Sequence, residues 1–246
     1  MITSIVSEEK IKLRYSDLDF NQNLKPFSLL NFFQDLASDN AEMLGFGYSY
    51  IHPKNLMWVL LKYRIEFDEY PSGINTLTLR TMPRGYNKLF AYRNFELLFG
   101  DRVIGRASTM WSLVDFTTMK IASVEKSINS PWFTKHEHQE HDLEFRKIPA
   151  LTQTDSEKEF EVRYNDIDVN MHANNGNYIV RALEALNPDF QTNHQLKNID
   201  MAFKKEAKLG EKLISKVQFI DDKTTLHELI NAQTQENLCL LHCEWI

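Results

Sequence analysis

The sequence has few of the features that assign a function at first reading. No apolar run is long enough to span a membrane, and the net charge of −6 offers no basic surface for nucleic acid. There is no Gly-x-Ser-x-Gly elbow, no phosphate-binding loop and no dinucleotide fingerprint. We therefore expect no membrane insertion and no nucleic-acid partner. Serine-hydrolase, nucleotide-hydrolysing and hydride-transfer chemistry have no support.

Cysteine is scarce, with Cys239 and Cys243 as the two in the chain. In a strand they would face the same side about 13 Å apart, which is too far for a disulfide. Two thiols with no further cysteine nearby also make a poor zinc site. We expect both side chains to be reduced and partly buried.

The remaining composition is that of a globular protein. Hydrophobic residues make up 43% and charged residues 25% of the chain, enough to build and solubilise a core. Its 246 residues suit one large domain or two of about 120. The first ten residues lack the basic head and apolar stretch of a signal peptide and the Arg/Ser-rich character of a transit peptide. The predicted location is the cytoplasm.

One segment occurs twice. Residues 14–23 return as residues 163–172, about 149 positions later, with Arg, Tyr, two Asp and Asn at identical spacing. Such a repeat indicates two copies of one domain. Asn23 in the first copy stands where His172 stands in the second, and only histidine titrates near neutral pH. The pattern predicts an enzyme with one competent site per chain.

The repeat sets the predicted domains. We expect an N-terminal domain with a degenerate site at residues 1–122, a linker at 123–156, and a C-terminal domain with the catalytic residues at 157–246. The linker contains His136, His138 and His141. Histidine and glutamate there are conceivable zinc ligands, but a polar tract has no cage to fix their geometry, so a solvated linker is favoured and no metal is expected.

Each half reads as a short strand, the repeated loop, a helix and several long strands. Helical periodicity spans residues 27–44 and then about 178–186. Strands are expected near residues 57–67, 74–82, 88–98, 102–114, 196–204, 212–219, 225–233 and 238–245. The predicted fold is α+β: two tandem hot-dog domains, each an antiparallel sheet wrapped round a central helix, forming a pseudo-dimer.

Three polar residues precede the second helix. Asp168, Asn170 and His172 alternate along the chain, so an extended loop turns all three to one side. The free N–H groups of a helix N-terminus beside them can stabilise an oxyanion. This set suits acyl transfer. The alternative is that Asp and Asn cap the helix and the histidine is a mere hydrogen-bonding group; the His/Asn difference between the copies favours chemistry.

Residues 168–178 resemble the Asp-x-Asn-x-His-x-Asn-Asn-x-x-Tyr signature of acyl-acyl carrier protein thioesterases, the tandem hot-dog enzymes of plant plastids and some bacteria. Further segments are similar to the first half of that family in order and spacing: Trp58-Val59, Ile65-Glu66, Tyr70-Pro71, residues 103–108 and Trp111. The resemblance spans nearly the whole chain. It implies hydrolysis of fatty acyl thioesters on acyl carrier protein, releasing free fatty acid and terminating fatty acid synthesis, without a cofactor.

The resemblance also implies which residues are catalytic. The family's Asp, Asn and His fall on Asp168, Asn170 and His172, and its Glu falls on Glu206. Many plant members carry Cys directly after this Glu, whereas this chain has Ala207, so direct attack by water activated by Glu206 and His172 is favoured. Either of the two is a possible formal base. Without the resemblance, Glu206 would be read as an exposed carboxylate balancing neighbouring lysines.

The family holds the acyl tail in its N-terminal domain. The resemblance therefore places the tail near Phe32, Phe33, Leu36 and Trp58, although ordinary core packing is the alternative for each. Acyl carrier protein is strongly acidic, so its docking needs local positive charge. The candidates, which are otherwise members of a solvated charged face, are Arg80, Arg84, Lys88, Arg93, Arg181, Lys204 and Lys205.

Other readings remain open at this point. They are a hot-dog hydrolase of acyl-coenzyme A, a dehydratase of 3-hydroxyacyl thioesters, and a non-catalytic acyl-binding sensor. Two fused hot dogs already supply the pairing that single ones need, so the chain is expected to be a monomer with an internal pseudo-dimer or a homodimer.

Overall fold

The computed structural model describes residues 4–168 and 172–246. Each half has a short first strand, a main helix and a long meander. The strands are β1 Ser7–Lys12, β2 Leu56–Phe67, β3 Thr76–Tyr86, β4 Phe90–Phe99, β5 Arg102–Asp115, β6 Lys120–Ala122, β7 Ser156–Glu161, β8 Leu196–Phe203, β9 Lys212–Asp221, β10 Thr224–Asn231 and β11 Asn237–Trp245. The helices are α1 Pro26–Met43, α2 Tyr48–Ile51, α3 Val124–Ser127, α4 Asn175–Leu183 and α5 Pro188–Asn193.

The strands of both halves form one sheet. Across the described residues its order is β1-β3-β4-β5-β2-β8-β11-β10-β9-β7, with β6 added beside β5. The halves join where β2 and β8 pair antiparallel, with Lys62 opposite Ala202 and Glu66 opposite Asn198. This arrangement confirms the predicted α+β fold of two hot-dog units in tandem. It also makes the joint between the halves a central strand pair of the sheet.

The main helices lie against the inner face of this sheet. Phe33 of α1 is fully buried, and its ring stacks on Phe95 of β4 with centroids 4.4 Å apart. Helix α1 meets α4 where Gly176 faces Phe27, and a Cβ at position 176 would come within 2.9 Å of that ring. The small glycine thus favours this close approach, because a larger residue would press on the Phe27 ring. Among the described residues, no helix is long and apolar enough to cross a bilayer.

The tract between the halves is more anchored than its polar composition suggests. Val124 and Phe133 are buried, and Asp142 pairs with Arg84 at 2.7 Å. The His136 ring bonds to the Arg84 carbonyl oxygen, and the described residues contain no His, Cys, Asp and Glu cluster suited to a metal. Apolar side chains spaced along a polar segment were enough to fix it to the first half. Residues 134–155 are mostly exposed, as expected for a solvated linker, whereas residues 124–133 contribute buried side chains to the first half.

Candidate active site

The repeated loops have the same internal structure in both halves. In the second half, the Arg163 N–H donates to Asp166 Oδ2 at 2.8 Å, and the Asn174 N–H donates to the Asp166 carbonyl oxygen at 2.8 Å. In the first half, the same two bonds join Arg14 and Lys25 to Asp17. These recurring carboxylates shape the loops, which explains why they appear in both copies of the repeat.

The second-half loop carries His172 to the end of strand β8. The Asp168 N–H donates to the His172 carbonyl oxygen at 2.9 Å, which closes the loop. The Ala173 N–H donates to the Ala207 carbonyl oxygen at 3.1 Å. Because Ala207 directly follows Glu206, this backbone bond sets the carboxylate beside the histidine.

The two side chains are in contact. His172 Nε2 lies 3.2 Å from Glu206 Oε2, with 23% of the histidine and 38% of the glutamate side chain exposed. His172 Nδ1 is buried and has no hydrogen-bond partner among the described residues. The pair can thus polarise a water molecule that reaches it from solvent.

Of the four predicted working residues, the structure brings three together. Asp168, His172 and Glu206 line one cavity of about 100 Å³, which we call the second-half site. Asn170 lies outside the described residues. Asn175, in the first turn of α4, lines the same cavity and places the helix N-terminus beside the pair. The Gly176 and Asn177 N–H groups are taken by Asn174 Oδ1 and the Asn174 carbonyl oxygen. What the terminus offers a developing negative charge is therefore the positive end of the helix dipole.

A second cavity of about 90 Å³ adjoins the first. Gln34, Trp58 and Trp111 line both cavities, so these residues connect the two. The rest of the second cavity belongs to the first half and is largely apolar: Ala37, Ser38, Ala41, Phe46, Pro83, Ala91, Tyr92, Arg93 and Phe133.

The predicted tail residues divide between this cavity and the core. Trp58 lines the cavity, and its Nε1–H donates to the Phe46 carbonyl oxygen at 3.0 Å. Phe33 and Leu36 are buried in the main hydrophobic core, and Phe32 packs against that core from a partly exposed position.

Family comparison follows the same division into halves. The model described as the acyl-ACP thioesterase N-terminal domain matches residues 5–132. The model described as the acyl-ACP thioesterase C-terminal domain matches residues 149–246. The chain belongs to the acyl-ACP thioesterase family. The resemblance read from its sequence is thereby confirmed.

Relatives of this thioesterase family are distant in sequence. Acyl-[acyl-carrier-protein] hydrolase FATB3, chloroplastic, of Cuphea viscosissima is 20% identical over 96% of this chain and 61% of its own length. Oleoyl-acyl carrier protein thioesterase 2, chloroplastic, of Arabidopsis thaliana is 24% identical over 94% of this chain and 66% of its own length. The chain thus spans between 52% and 66% of the length of the curated relatives it matches.

Solved thioesterase structures share the fold over their full length. An acyl-ACP thioesterase from Bacteroides thetaiotaomicron superposes with a TM-score of 0.86 at 22% identity, covering 98% of both chains. The 12:0-ACP thioesterase from Umbellularia californica gives a TM-score of 0.86 at 16% identity, covering 100% of this chain and 99% of the other. Two linked hot-dog units in this arrangement are therefore common to all three.

The corresponding place in the first half, the first-half site, has a different chemistry. Asn23 replaces the histidine; its Nδ2 donates to Asp19 Oδ2 at 3.2 Å and its Oδ1 accepts from Gln195 Nε2 at 3.1 Å. The Leu24 N–H donates to the Pro71 carbonyl oxygen, as Ala173 does to Ala207. Tyr70, which precedes Pro71, therefore occupies the place of Glu206. The first-half site has neither a histidine nor a carboxylate at the two positions that meet in the second half.

No cysteine is placed to act as a nucleophile at the second-half site. Ala207 follows Glu206 and is buried, and Cys239 and Cys243 are fully buried. Burial raises the pKa of both thiols well above the ordinary value, because the charged thiolate is poorly solvated there. Neutral, buried thiols do not attack a thioester.

Several predicted docking arginines are not free surface charges. Arg93 is buried and donates to Asn40 Oδ1 at 2.7 Å and to Thr81 Oγ1 at 3.0 Å, and burial lowers its pKa to about 9. Arg84 is held by Asp142. The sequence alone did not show that these arginines are buried or paired, because arginine side chains are mostly exposed and are assumed to face solvent.

Proposed function

We propose that this chain hydrolyses the thioester of fatty acyl chains carried on acyl carrier protein and releases free fatty acid. The observation that carries the proposal is the contact between His172 and Glu206 at the mouth of a cavity that continues into an apolar one. A fatty acyl thioester needs both features, a polar pair at the carbonyl and an apolar space for the tail. Membership of the acyl-ACP thioesterase family supports the same substrate.

In the proposed reaction, water is the nucleophile. Glu206, aided by His172, takes a proton from water as its oxygen bonds to the thioester carbonyl carbon. The carbonyl oxygen becomes an oxyanion, which the positive end of the α4 helix dipole stabilises. The carbon–sulfur bond then breaks, and the departing sulfur receives the proton held by the pair. Free fatty acid and the carrier thiol are the products.

Asp168 and Asn170 complete the proposed set. Asp168 holds the loop through its N–H bond to the His172 carbonyl oxygen. Asn170, assigned by its place in the family motif, holds the oxyanion or the attacking water. The absence of a thiol next to Glu206 supports direct hydrolysis over an acyl-enzyme intermediate.

The apolar cavity is the proposed place for the acyl tail. It begins at Trp58 and Trp111, which also line the second-half site, and extends into the first half beside α1. A tail entering there leaves its thioester at His172 and Glu206. The depth of this cavity then sets the preferred chain length.

The charge beside the second-half site supports the acidic carrier as the partner. Lys204 and Lys205 are exposed, and their N–H groups donate to the Leu238 carbonyl oxygen at 2.8 and 3.3 Å. Asp68 and Glu69 take the equivalent place in the first half, where their N–H groups donate to the Ile104 carbonyl oxygen. Lys205 also pairs with Glu236, Glu69 with Arg102 and Asp68 with Arg106, so the charge contrast rests on Lys204. We call the mouth with the His–Glu pair the basic mouth and the other the acidic mouth. Such complementarity steers an acidic carrier to one mouth.

The test is a panel of C8 to C18 acyl carrier proteins with matched acyl-coenzyme A thioesters, scored for free thiol and fatty acid. A clear preference for the carrier substrates is the expected result. Equal or faster hydrolysis of coenzyme A thioesters would instead identify an acyl-coenzyme A hydrolase. Enoyl product with the thioester retained would identify a dehydratase, and no reaction from folded protein would leave a binding role.

A further inference from the structure

The residue that follows Glu206 is bonded on both sides. The Ala207 N–H donates to the Tyr178 hydroxyl oxygen at 2.8 Å, and its carbonyl oxygen accepts from the Ala173 N–H at 3.1 Å. Tyr178 lies in helix α4, buried, with its ring edge-on to Phe203 at a centroid distance of 5.6 Å. The hydroxyl therefore links the helix to the strand end that presents Glu206.

The first half makes a comparable link from the opposite direction. Its strand-end residue is Tyr70, whose hydroxyl donates to the Leu24 carbonyl oxygen at 2.7 Å. Lys25 and Asn174 make the same N–H bond in the two loops and are therefore equivalent. Four residues later, Leu29 of the first half is equivalent to Tyr178 of the second. Each half thus has one buried tyrosine hydroxyl that ties the strand end. In the first half this tyrosine lies at the strand end, whereas in the second half it lies in helix α4 and the strand-end position holds Glu206.

We propose that Tyr178 is a positioning residue for Glu206. It acts through the Ala207 N–H and holds the carboxylate at the distance from His172 that water activation requires. Without the hydroxyl, a buried N–H would have no acceptor, and the strand end would move to find one. A misplacement of about 1 Å at a reacting group costs about a hundredfold in rate. The expected effect of Tyr178 on kcat rests on the proposed hydrolysis.

The kinetic test is a double-mutant cycle between Tyr178→Phe and Glu206→Gln. Tyr178→Phe is expected to lower kcat by about 10- to 100-fold with little change in KM, because only the placement of the carboxylate is altered. In the Glu206→Gln background the same change should cost less than about twofold, since no carboxylate remains to be placed. An equal loss in both backgrounds would overturn the proposal. Tyr178→Leu, which copies Leu29, repeats the test if the Phe variant does not fold.

Tyr70→Phe is the matched control. It removes a buried tyrosine-to-backbone bond of the same kind from the first half, so a comparable fall in Tm is expected with kcat unchanged. If Tyr70→Phe lowers kcat as much as Tyr178→Phe, both tyrosines act through general stability, and a positioning role is excluded.

A measurement that requires no catalysis tests the role of Tyr178 independently of the proposed thioester hydrolysis. The ¹⁵N signal of His172 Nε2 reports its contact with Glu206. Tyr178→Phe should move that signal toward its position in Glu206→Gln, and Tyr70→Phe should leave it in place. An unmoved signal in Tyr178→Phe contradicts positioning even if the enzyme proves active. A moved signal upholds positioning even if another thioester proves to be the substrate.

Discussion

His172 Nε2 lies 3.2 Å from Glu206 Oε2, although the two residues come from a loop and a strand end on opposite sides of helix α4 in the sequence. One backbone bond, from the Ala173 N–H to the Ala207 carbonyl oxygen, brings the two segments into register. The first half keeps that bond but replaces the pair by Asn23 and Tyr70. The two halves thus share this backbone bond, and the histidine–glutamate contact is made in the second half alone at these positions.

The basic mouth predicts a charge-dependent interaction with the carrier. Lys204→Glu combined with Lys205→Glu should lower kcat/KM for acyl carrier protein at least about tenfold at low salt, because two attractive contacts become repulsive. Steady-state rates across a salt series measure this effect, and the wild-type advantage should shrink as salt screens the charges. Hydrolysis of a short, carrier-free acyl thioester should fall less than hydrolysis of the carrier substrate, and the difference measures the docking effect, since both lysines also line the second-half site.

The acidic mouth supplies the control for this charge reversal. Asp68→Lys combined with Glu69→Lys changes net charge in the opposite sense at the first-half site. Rates with the carrier should stay within about twofold, since Asp68 and Glu69 pair with Arg106 and Arg102 and do not line the second-half site. A rate change as large as that of the lysine variants would show that overall charge, and no particular mouth, guides the carrier.

The apolar cavity predicts that chain length can be shortened by filling it. Ala91 is buried and lines the cavity in the first half. Ala91→Leu should reduce hydrolysis of the longest accepted acyl chains about tenfold or more and leave shorter chains near the wild-type rate, since each excluded methylene removes about 0.8 kcal/mol of apolar burial. The acyl-chain panel measures the shift. A uniform loss at every length would place the tail elsewhere.

The buried thiols predict that cysteine is dispensable. The combined change Cys239→Ala and Cys243→Ala should keep kcat within a few-fold, with a modest loss of stability from the smaller side chains. Trapping of an acyl-enzyme on either sulfur, detected by mass after rapid quenching, would contradict direct hydrolysis.

The buried, neutral side chain of His227 should make the folded protein less stable in mild acid. The ring is fully buried, with Nδ1 3.1 Å from the Ala182 carbonyl oxygen and Nε2 2.9 Å from Thr225 Oγ1. Burial lowers its pKa from 6.5 to about 4, so the folded protein keeps this histidine neutral. Unfolding then takes up a proton below pH 6.5, and the stabilisation that is complete above this pH declines as the pH falls toward 4.

Urea unfolding between pH 4.5 and 7 measures this decline, which reaches about 3 kcal/mol when the full shift is expressed. His227→Gln should lower stability at neutral pH and flatten the slope over this range, because the titrating group is gone. An unchanged slope in the variant would assign the acid sensitivity to other groups.

The fold was largely predictable because its elements have strong local signals. Helical periodicity placed α1 within a residue of its observed bounds, and the long meander strands were placed within a few residues at each end. The anchoring of residues 124–133 was missed, since buried side chains such as Val124 and Phe133 stand alone in a polar segment.

The site was only partly predictable. Alternation of Asp168 and His172 indicated a functional loop, but Glu206 was found through family resemblance, because contacts between a loop and a distant strand leave no local pattern. Tyr178 is the last residue of the family signature, but the signature does not show that its hydroxyl accepts from the Ala207 N–H. The cytoplasmic location stays a prediction; the curated plant relatives are chloroplastic.

The central claim is that Glu206 and His172 together activate water for hydrolysis of acyl carrier protein thioesters. The most direct measurement is carrier-thiol release by the wild type, Glu206→Ala and His172→Ala, with Asn23→Ala as the first-half control and circular dichroism to verify folding. Each second-half variant should lose more than about a thousandfold in kcat, and Asn23→Ala should stay within about twofold of the wild type. Near-normal turnover by folded Glu206→Ala or His172→Ala would contradict this claim.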